Sequence, residues 1–213
     1  MQTKGVLVVV SGFSGAGKGT VMKALLNKYD NYALSVSATT RNPRPGEENG
    51  REYFFLTESQ FEDMIKNDEL IEHARYVDHY YGTPKKYVEE KMAAGKDVIL
   101  EIEIQGALNI KKKFPDALLV FIVPPTAEDL KKRLIGRGTE SAEVIEKRLR
   151  RAAEESDGMD SYDYIVVNDD IDTCVEDLHS LIRSSHFKES ANTDLVARMK
   201  QELHDMTKYR MYP

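Results

Sequence analysis

The sequence predicts an α/β fold, a parallel sheet layered between helices, on three observations. Short apolar runs alternate with amphipathic stretches, the first run is continuous and β-branched, and a glycine-rich turn joins that run to a helical pattern. Residues 6–10 (VLVVV) are the first run, with the composition of a strand buried on both faces, and residues 21–26 begin the first helix. Runs at 98–104 (VILEIEI), 118–123 (LLVFIV) and 164–167 (YIVV) read as further buried strands, each followed by a helical pattern. With the first, they predict a four-stranded core sheet.

Between these runs the texture changes. Residues 35–55 (SVSATTRNPRPGEENGREYFF) combine a proline-rich bend, an Asn49-Gly50 turn and an aromatic strand, which reads as a small inserted β lobe. Residues 126–156 read as two helices joined around 136–141 and carry Arg133, Arg137, Arg148, Arg150 and Arg151, the pattern of a mobile lid. A last amphipathic helix is expected over 192–206, where Leu195, Val196, Met199, Leu203 and Met206 recur at helical spacing after an Asn/Thr cap. Packing of that helix on its own core is the expectation. The chain divides into a core (1–34, 84–125 and 157–190), a lobe (35–83), a lid (126–156) and a C-terminal extension (191–213), all within one domain.

Composition narrows the class. A chain of 213 residues that is 41% hydrophobic can bury a substantial core. No apolar run is long enough to span a bilayer, so a cytoplasmic location is expected, with no membrane partner. Lys and Arg total 30 against 36 for Asp and Glu, a formal charge of -6 that gives no global attraction for nucleic acid. A polyanionic ligand must therefore be held by a local basic site. The single cysteine, Cys174, excludes an internal disulfide and reads as a small residue on a helix face.

The chemistry begins at residues 12–20 (GFSGAGKGT). In G-x-x-x-x-G-K the glycines let consecutive backbone N–H groups turn toward a phosphate, and the following helix adds the positive end of its dipole. Gly12, Phe13, Ser14, Gly15, Ala16, Gly17, Lys18, Gly19 and Thr20 are thus the candidate cradle for a nucleoside triphosphate, with Lys18 reaching its β and γ oxygens. A preceding strand and a following helix are the context this motif requires. Gly19 departs from the pattern, because Ser or Thr at that position helps hold magnesium. Thr20 and Glu101 are the candidate Mg2+ contacts, both expected to be indirect.

Arg41 and Arg44, flanked by Pro43 and Pro45, put two guanidinium forks on a stiff bend suited to a second phosphate. Tyr53, emerging from a strand, and Tyr81, read as part of a glycine-containing turn at 80–83 (YYGT), add hydroxyl donors. Over residues 5–182 the sequence closely resembles the guanylate kinases. The resemblance rests on GFSGAGKGT, the 35–55 segment, LIEHA (70–74), YYGT (80–83), LEIEIQG (100–106), FIVPPT (121–126), LKKRLIGRGTES (130–141), EKRL (146–149) and VNDD (167–170).

That resemblance implies a P-loop NTPase-type three-layer fold with a mixed β GMP-binding lobe and a helical lid. It also implies phosphorylation of GMP, and of dGMP, by ATP with Mg2+. The GMP-binding positions it implies are Ser37, Arg41, Arg44, Glu47, Tyr53, Glu72, Tyr81, Gly82, Thr83 and Glu103, the last where the family commonly has Asp. It places Lys18, Arg41, Arg137 and Arg148 around the transferring group, with Arg133 facing the ATP phosphates. Guanine presents N–H donors at N1 and N2 and an acceptor at O6, which Glu72, Glu103 and Ser37 are suited to pair. An adenylate-type kinase, suggested by Gly-Lys-Gly-Thr, is the rival within the fold, and a non-catalytic phosphopeptide-binding module is the rival outside it. Whether the chain is a monomer or a homo-oligomer is left open by the sequence.

Overall fold

A computed structural model describes residues 4–76, 78–136 and 141–208. In chain order the first elements are β1 (Leu7–Gly12), α1 (Lys18–Lys28), β2 (Tyr32–Leu34), β3 (Ser37–Thr39), β4 (Tyr53–Phe55), α2 (Glu58–Lys66), β5 (Leu70–Tyr76) and β6 (His79–Pro84). There follow α3 (Lys85–Ala93), β7 (Asp97–Glu101), α4 (Ile104–Lys113), β8 (Leu118–Val123), α5 (Ala127–Gly136) and α6 (Ala142–Ser156). The chain ends with β9 (Tyr164–Val167), α7 (Ile171–Ser185) and α8 (Thr193–Lys208).

Five strands form the core sheet in the order β2-β7-β1-β8-β9, and every pairing in it is parallel. The fifth strand, β2, has only three residues at the sheet edge, too short to stand out as a periodic run. Burial of both faces of β1 explains why its residues 7–10 are all apolar. Val8 and Val10 face α1 and α7 through Val21, Leu25, Val175 and Leu178, while Leu7 and Val9 face α3 and α4 through Val88, Ala107 and Ile110. The strand at 164–167 is an exception to the expected two-sided burial. It is the opposite edge strand, and only Val166 is buried in it.

A second, mixed sheet in the order β4-β3-β6-β5 occupies the region read as a lobe. It carries one helix that the reading of this region did not include, α2, which begins with a full capping box between Thr57 and Gln60 and buries Phe61. The turn expected at 80–83 is the middle of β6, paired antiparallel with β3 and β5. A glycine is needed at position 82 for packing: a Cβ there would lie 2.8 Å from the Glu72 carbonyl oxygen and 3.0 Å from the Phe61 ring. The apolar stripe of α8 does not pack as expected, for none of its residues is buried and Leu203 and Met206 are 56% and 69% exposed. Asn192 turns the chain away from α7 just before it, its side-chain amide donating to the carbonyls of His186 and Lys188.

Asp97, at the start of β7, ties the residue before β1 and the residue after α7 to the sheet. Its carboxylate is buried and accepts from Val6 N at 2.8 Å and from Asn31 Nδ2 at 3.3 Å, with His186 Nε2 2.8 Å away. Removing it leaves the half-buried Val6 N–H and His186 imidazole without this acceptor. Asp97→Ala is expected to lower the unfolding free energy by about 2–4 kcal/mol, read by urea denaturation. A loss below about 1 kcal/mol would remove this carboxylate as an anchor.

Candidate functional site

The loop between β1 and α1 is shaped from outside by its neighbours. Gly15 (φ 96°) and Gly17 (φ 92°) occupy the left-handed region. A Cβ at Gly17 would come 2.4 Å from Asn168 Nδ2, and one at Gly15 would come 2.8 Å from a Leu134 methyl. Between them Ala16 is fully buried, and its carbonyl accepts from Asn168 Nδ2 at 2.8 Å and from Arg133 Nη1 at 3.3 Å. Arg133 Nη2 closes the triangle onto the Asn168 carbonyl at 2.7 Å. Arg133, expected to face the donor phosphates, here holds the backbone of the loop that would carry them.

Lys18, the first residue of α1, donates to the carbonyls of Gly12 at 2.6 Å and Phe13 at 3.2 Å. Its ammonium therefore stands at the mouth of the loop. Gly19 and Thr20 are exposed on the first turn of the helix, and a Cβ at Gly19 would meet nothing within 4 Å. No steric demand requires glycine at position 19.

A cavity of about 290 Å³ opens beside Lys18, walled by Gly12, Ser14, Glu101, Ile102, Glu103, Ile104 and Glu155. The strand read over 98–104 stops at Glu101, because Glu103 starts a helix instead. Its carboxylate accepts from the backbone N–H groups of Gly106 at 3.0 Å and Gln105 at 3.1 Å, capping α4. Glu101 opens to solvent at the cavity wall. The protein packed behind it raises its pKa by desolvation, and the Lys18 charge pulls the other way.

Glu72, on β5, is different in kind. It is 7% exposed, accepts from Thr83 Oγ1 at 2.8 Å, and has its pKa pushed up to about 6 by burial. The Thr83 bond and the Lys113 charge oppose that shift, while nearby Glu103 adds to it. A Cβ at Gly106 would lie 3.4 Å from Glu72 Oε2, so the start of α4 passes directly over the carboxylate.

The arginine bend forms a third cluster. Arg41 Nη2 lies 3.0 Å from both Glu47 oxygens, and the Arg44 backbone N–H donates to Glu47 at 2.7 Å. The Arg41 guanidinium also sits 5.4 Å from the Tyr53 ring centroid, and Tyr53 meets Tyr81 edge-on at 6.1 Å. Ser37 on β3 stands opposite Tyr53 in register, and the Arg44 side chain is exposed. Glu101 lies within electrostatic reach of both Tyr53 and Lys18, so the end of β7 is near both the bend and the phosphate loop.

Arg148, on α6, donates to the Ser14 hydroxyl of the phosphate loop. Arg137 lies outside the described residues. Among the described residues no three His, Cys, Asp or Glu side chains cluster as a metal site, so a dedicated all-protein magnesium cage has no donors here. Glu101, one carboxylate beside the lysine, fits an ion carried mainly by nucleotide oxygens and water. Asn168 is the site residue that residue-level reasoning missed. Its signal was the VNDD segment at 167–170, but only the folded chain shows its amide reaching back across the sheet to Ala16.

The guanylate kinase family model matches residues 4–185. A guanylate kinase of Caldanaerobacter subterraneus subsp. tengcongensis is 47% identical over 202 residues, covering 95% of this chain and 98% of the relative. One from Lactococcus lactis subsp. lactis is 50% identical over 188 residues, covering 88% and 92%. Among solved structures, the guanylate kinase from Anaplasma phagocytophilum superposes with a TM-score of 0.70 at 32% identity, covering 88% of this chain and 89% of that one. Phosphate loop, arginine bend and buried carboxylate thus occur together on a scaffold shared along nearly the whole chain, which belongs to the guanylate kinase family.

Proposed function

We propose that this protein transfers the γ-phosphoryl group of ATP to GMP, giving ADP and GDP, with dGMP as a second acceptor. The observation that carries the reading is the cavity beside Lys18, whose wall at residues 101–104 leads into the start of α4, where Gly106 approaches the Glu72 carboxylate. The acceptor phosphate is already anionic, so no general base is needed. One of its oxygens attacks the γ-phosphorus, the bond to the β–γ bridging oxygen breaks, and ADP leaves with the electron pair. Catalysis then reduces to alignment and neutralisation of charge.

In this reading Lys18 and backbone N–H groups of the loop at 12–20 hold the donor, and Arg41 and Arg44 hold the acceptor phosphate. Tyr53, Tyr81 and Ser37 flank the acceptor, and Glu47 orients Arg41. Glu72 pairs the guanine N–H edge. Thr83 and Gly82 position Glu72, and Glu103 acts through the cap of α4 beside it. Arg148 and Arg137 close from the lid, with Arg133 steadying the loop. Magnesium would be held by Glu101 through water, with Thr20 a more remote contact, and would supply neutralisation of phosphate charge. With no membrane-spanning helix among the described residues, action in the cytoplasm on free nucleotides fits this reading.

A coupled ADP-release assay tests it directly. Turnover is expected with GMP and dGMP, with kcat/KM for AMP roughly 10⁴-fold lower, because adenine would set its N1 lone pair against the buried carboxylate. Equal use of AMP would favour an adenylate-type kinase, and no turnover with any of GMP, dGMP, AMP, CMP or UMP would favour a binding module.

Glu72 gives a pH signature. Its folded-state pKa of about 6 exceeds the ordinary 4.5, so the native protein binds this proton more tightly than the unfolded chain. Ionisation therefore costs stability, a cost absent below about 4.5 and complete above about 6. Binding of guanine needs the carboxylate, so KM for GMP is expected to fall as pH rises through about 6. In Glu72→Gln that component disappears, while the second ionisation of the GMP phosphate, with a pKa of about 6, remains in both proteins. The same variant is expected to gain about 1–2 kcal/mol in urea denaturation at pH 8 while losing GMP affinity. Destabilisation at pH 8 would contradict the assignment of burial as the cause.

A further inference from the structure

The α6 helix is docked on the phosphate loop at two adjacent residues, and nothing in the cradle chemistry requires either side chain. The cradle works through backbone N–H groups, so the side chains of Phe13 and Ser14 are available for other contacts. Phe13 joins the small core that α5 and α6 share, made of Leu130, Leu134, Ile145, Leu149 and Ala152. Its ring is fixed from the other side by Phe121, edge-on at a centroid distance of 5.0 Å. Next to it the Ser14 hydroxyl accepts from Arg148 Nη1, across 134 residues of sequence.

The spacing on α6 makes the two contacts one device. Ile145, Arg148, Leu149 and Ala152 follow the i, i+3, i+4, i+7 pattern and share one helix face. The apolar members of that face seal against the core containing Phe13, and this sets the rotation of the helix about its axis. Arg148 then emerges from the sealed face beside the loop, in a partly buried position where a hydrogen bond to a charged donor is worth more than at the surface.

We infer that Phe13 and Ser14 are positioning residues for Arg148. They hold its guanidinium against Ser14, a residue of the cavity wall beside Lys18, so that the arginine need not be ordered at the moment of transfer. This rests on the reading of Arg148 as one of the cations that neutralise the transferring group.

The test is a double-mutant cycle in initial-rate kinetics on the full chain, with wild type, Ser14→Ala, Arg148→Ala and the double variant. Ser14→Ala is expected to lower kcat about tenfold with KM for GMP within about twofold, since the acceptor cluster is untouched. In the Arg148→Ala background the same substitution is expected to change kcat by less than about twofold, because the group it positions is gone. Equal losses in both backgrounds would show that Ser14 acts through the loop itself, and would overturn the inference. An unchanged kcat in Ser14→Ala beside a large loss in Arg148→Ala would overturn it too, while leaving the role of Arg148 intact. An unchanged kcat in Arg148→Ala would instead sink the underlying reading of that arginine.

Discussion

The site depends on one constraint: a loop can turn its N–H groups inward on a phosphate only if its carbonyls are satisfied outward. Buried backbone acceptors without partners are costly, and residues 13–17 lie between a strand and a helix with no ladder of their own. Asn168 and Arg133 meet the buried Ala16 carbonyl, and Lys18 meets those of Gly12 and Phe13. The parallel sheet makes this possible. Its order brings the C-terminal ends of β1, β7, β8 and β9 to one edge, where loops from distant parts of the chain converge. Gly12 ends β1, Glu101 ends β7, and Asn168 directly follows β9.

From that edge the remaining elements acquire their places. Leu130 and Leu134 press α5 against Gly15, and Arg133, one residue before Leu134, reaches the loop from the same helix. On the opposite side α4 begins at Ile104, with Glu103 as its cap, and the tight approach of Gly106 sets the ceiling over Glu72. The phosphate loop and the Glu72 corner are therefore joined along one wall, from Gly12 past the end of β7 to the start of α4.

Much of this was legible in the sequence where local rules and tertiary demands coincide. The phosphate loop is local, needing glycines, a lysine and a strand before it. The β1 run was readable because both its faces are buried, which removes any polar alternation. The unreadable parts are those that a distant residue decides. Arg133 is a helical arginine with nothing beside it in sequence to say that it would bind carbonyls 117 and 35 residues away. Glu103 follows an apolar strand in perfect alternation, and only the helix beginning at Ile104 turns it from a strand residue into a cap. Tyr81 and Gly82 look like turn residues until β3 and β5 pair on both sides of them. The stripe of α8 is helical as read, but amphipathicity alone does not name what lies opposite it.

The two carboxylates buried among the described residues differ in how their acceptor capacity is used. Asp97 and Glu72 are 3% and 7% exposed, and nothing in their sequence neighbourhoods separates them. Asp97 is met from three directions, by the backbone of Val6, by Asn31 and by His186, so its acceptor capacity is largely used and the group acts as an anchor. Glu72 is met by Thr83, and that bond does not offset its burial, for its pKa still rises to about 6. A carboxylate can accept about four hydrogen bonds; one held with capacity to spare, at a cost in stability, is suited to a ligand that brings its own donors. The N1 and N2 hydrogens of guanine are such donors. In the proposed reading the local unfavourability of Glu72 is the physical form that specificity takes, and the Thr83 hydrogen bond opposes it.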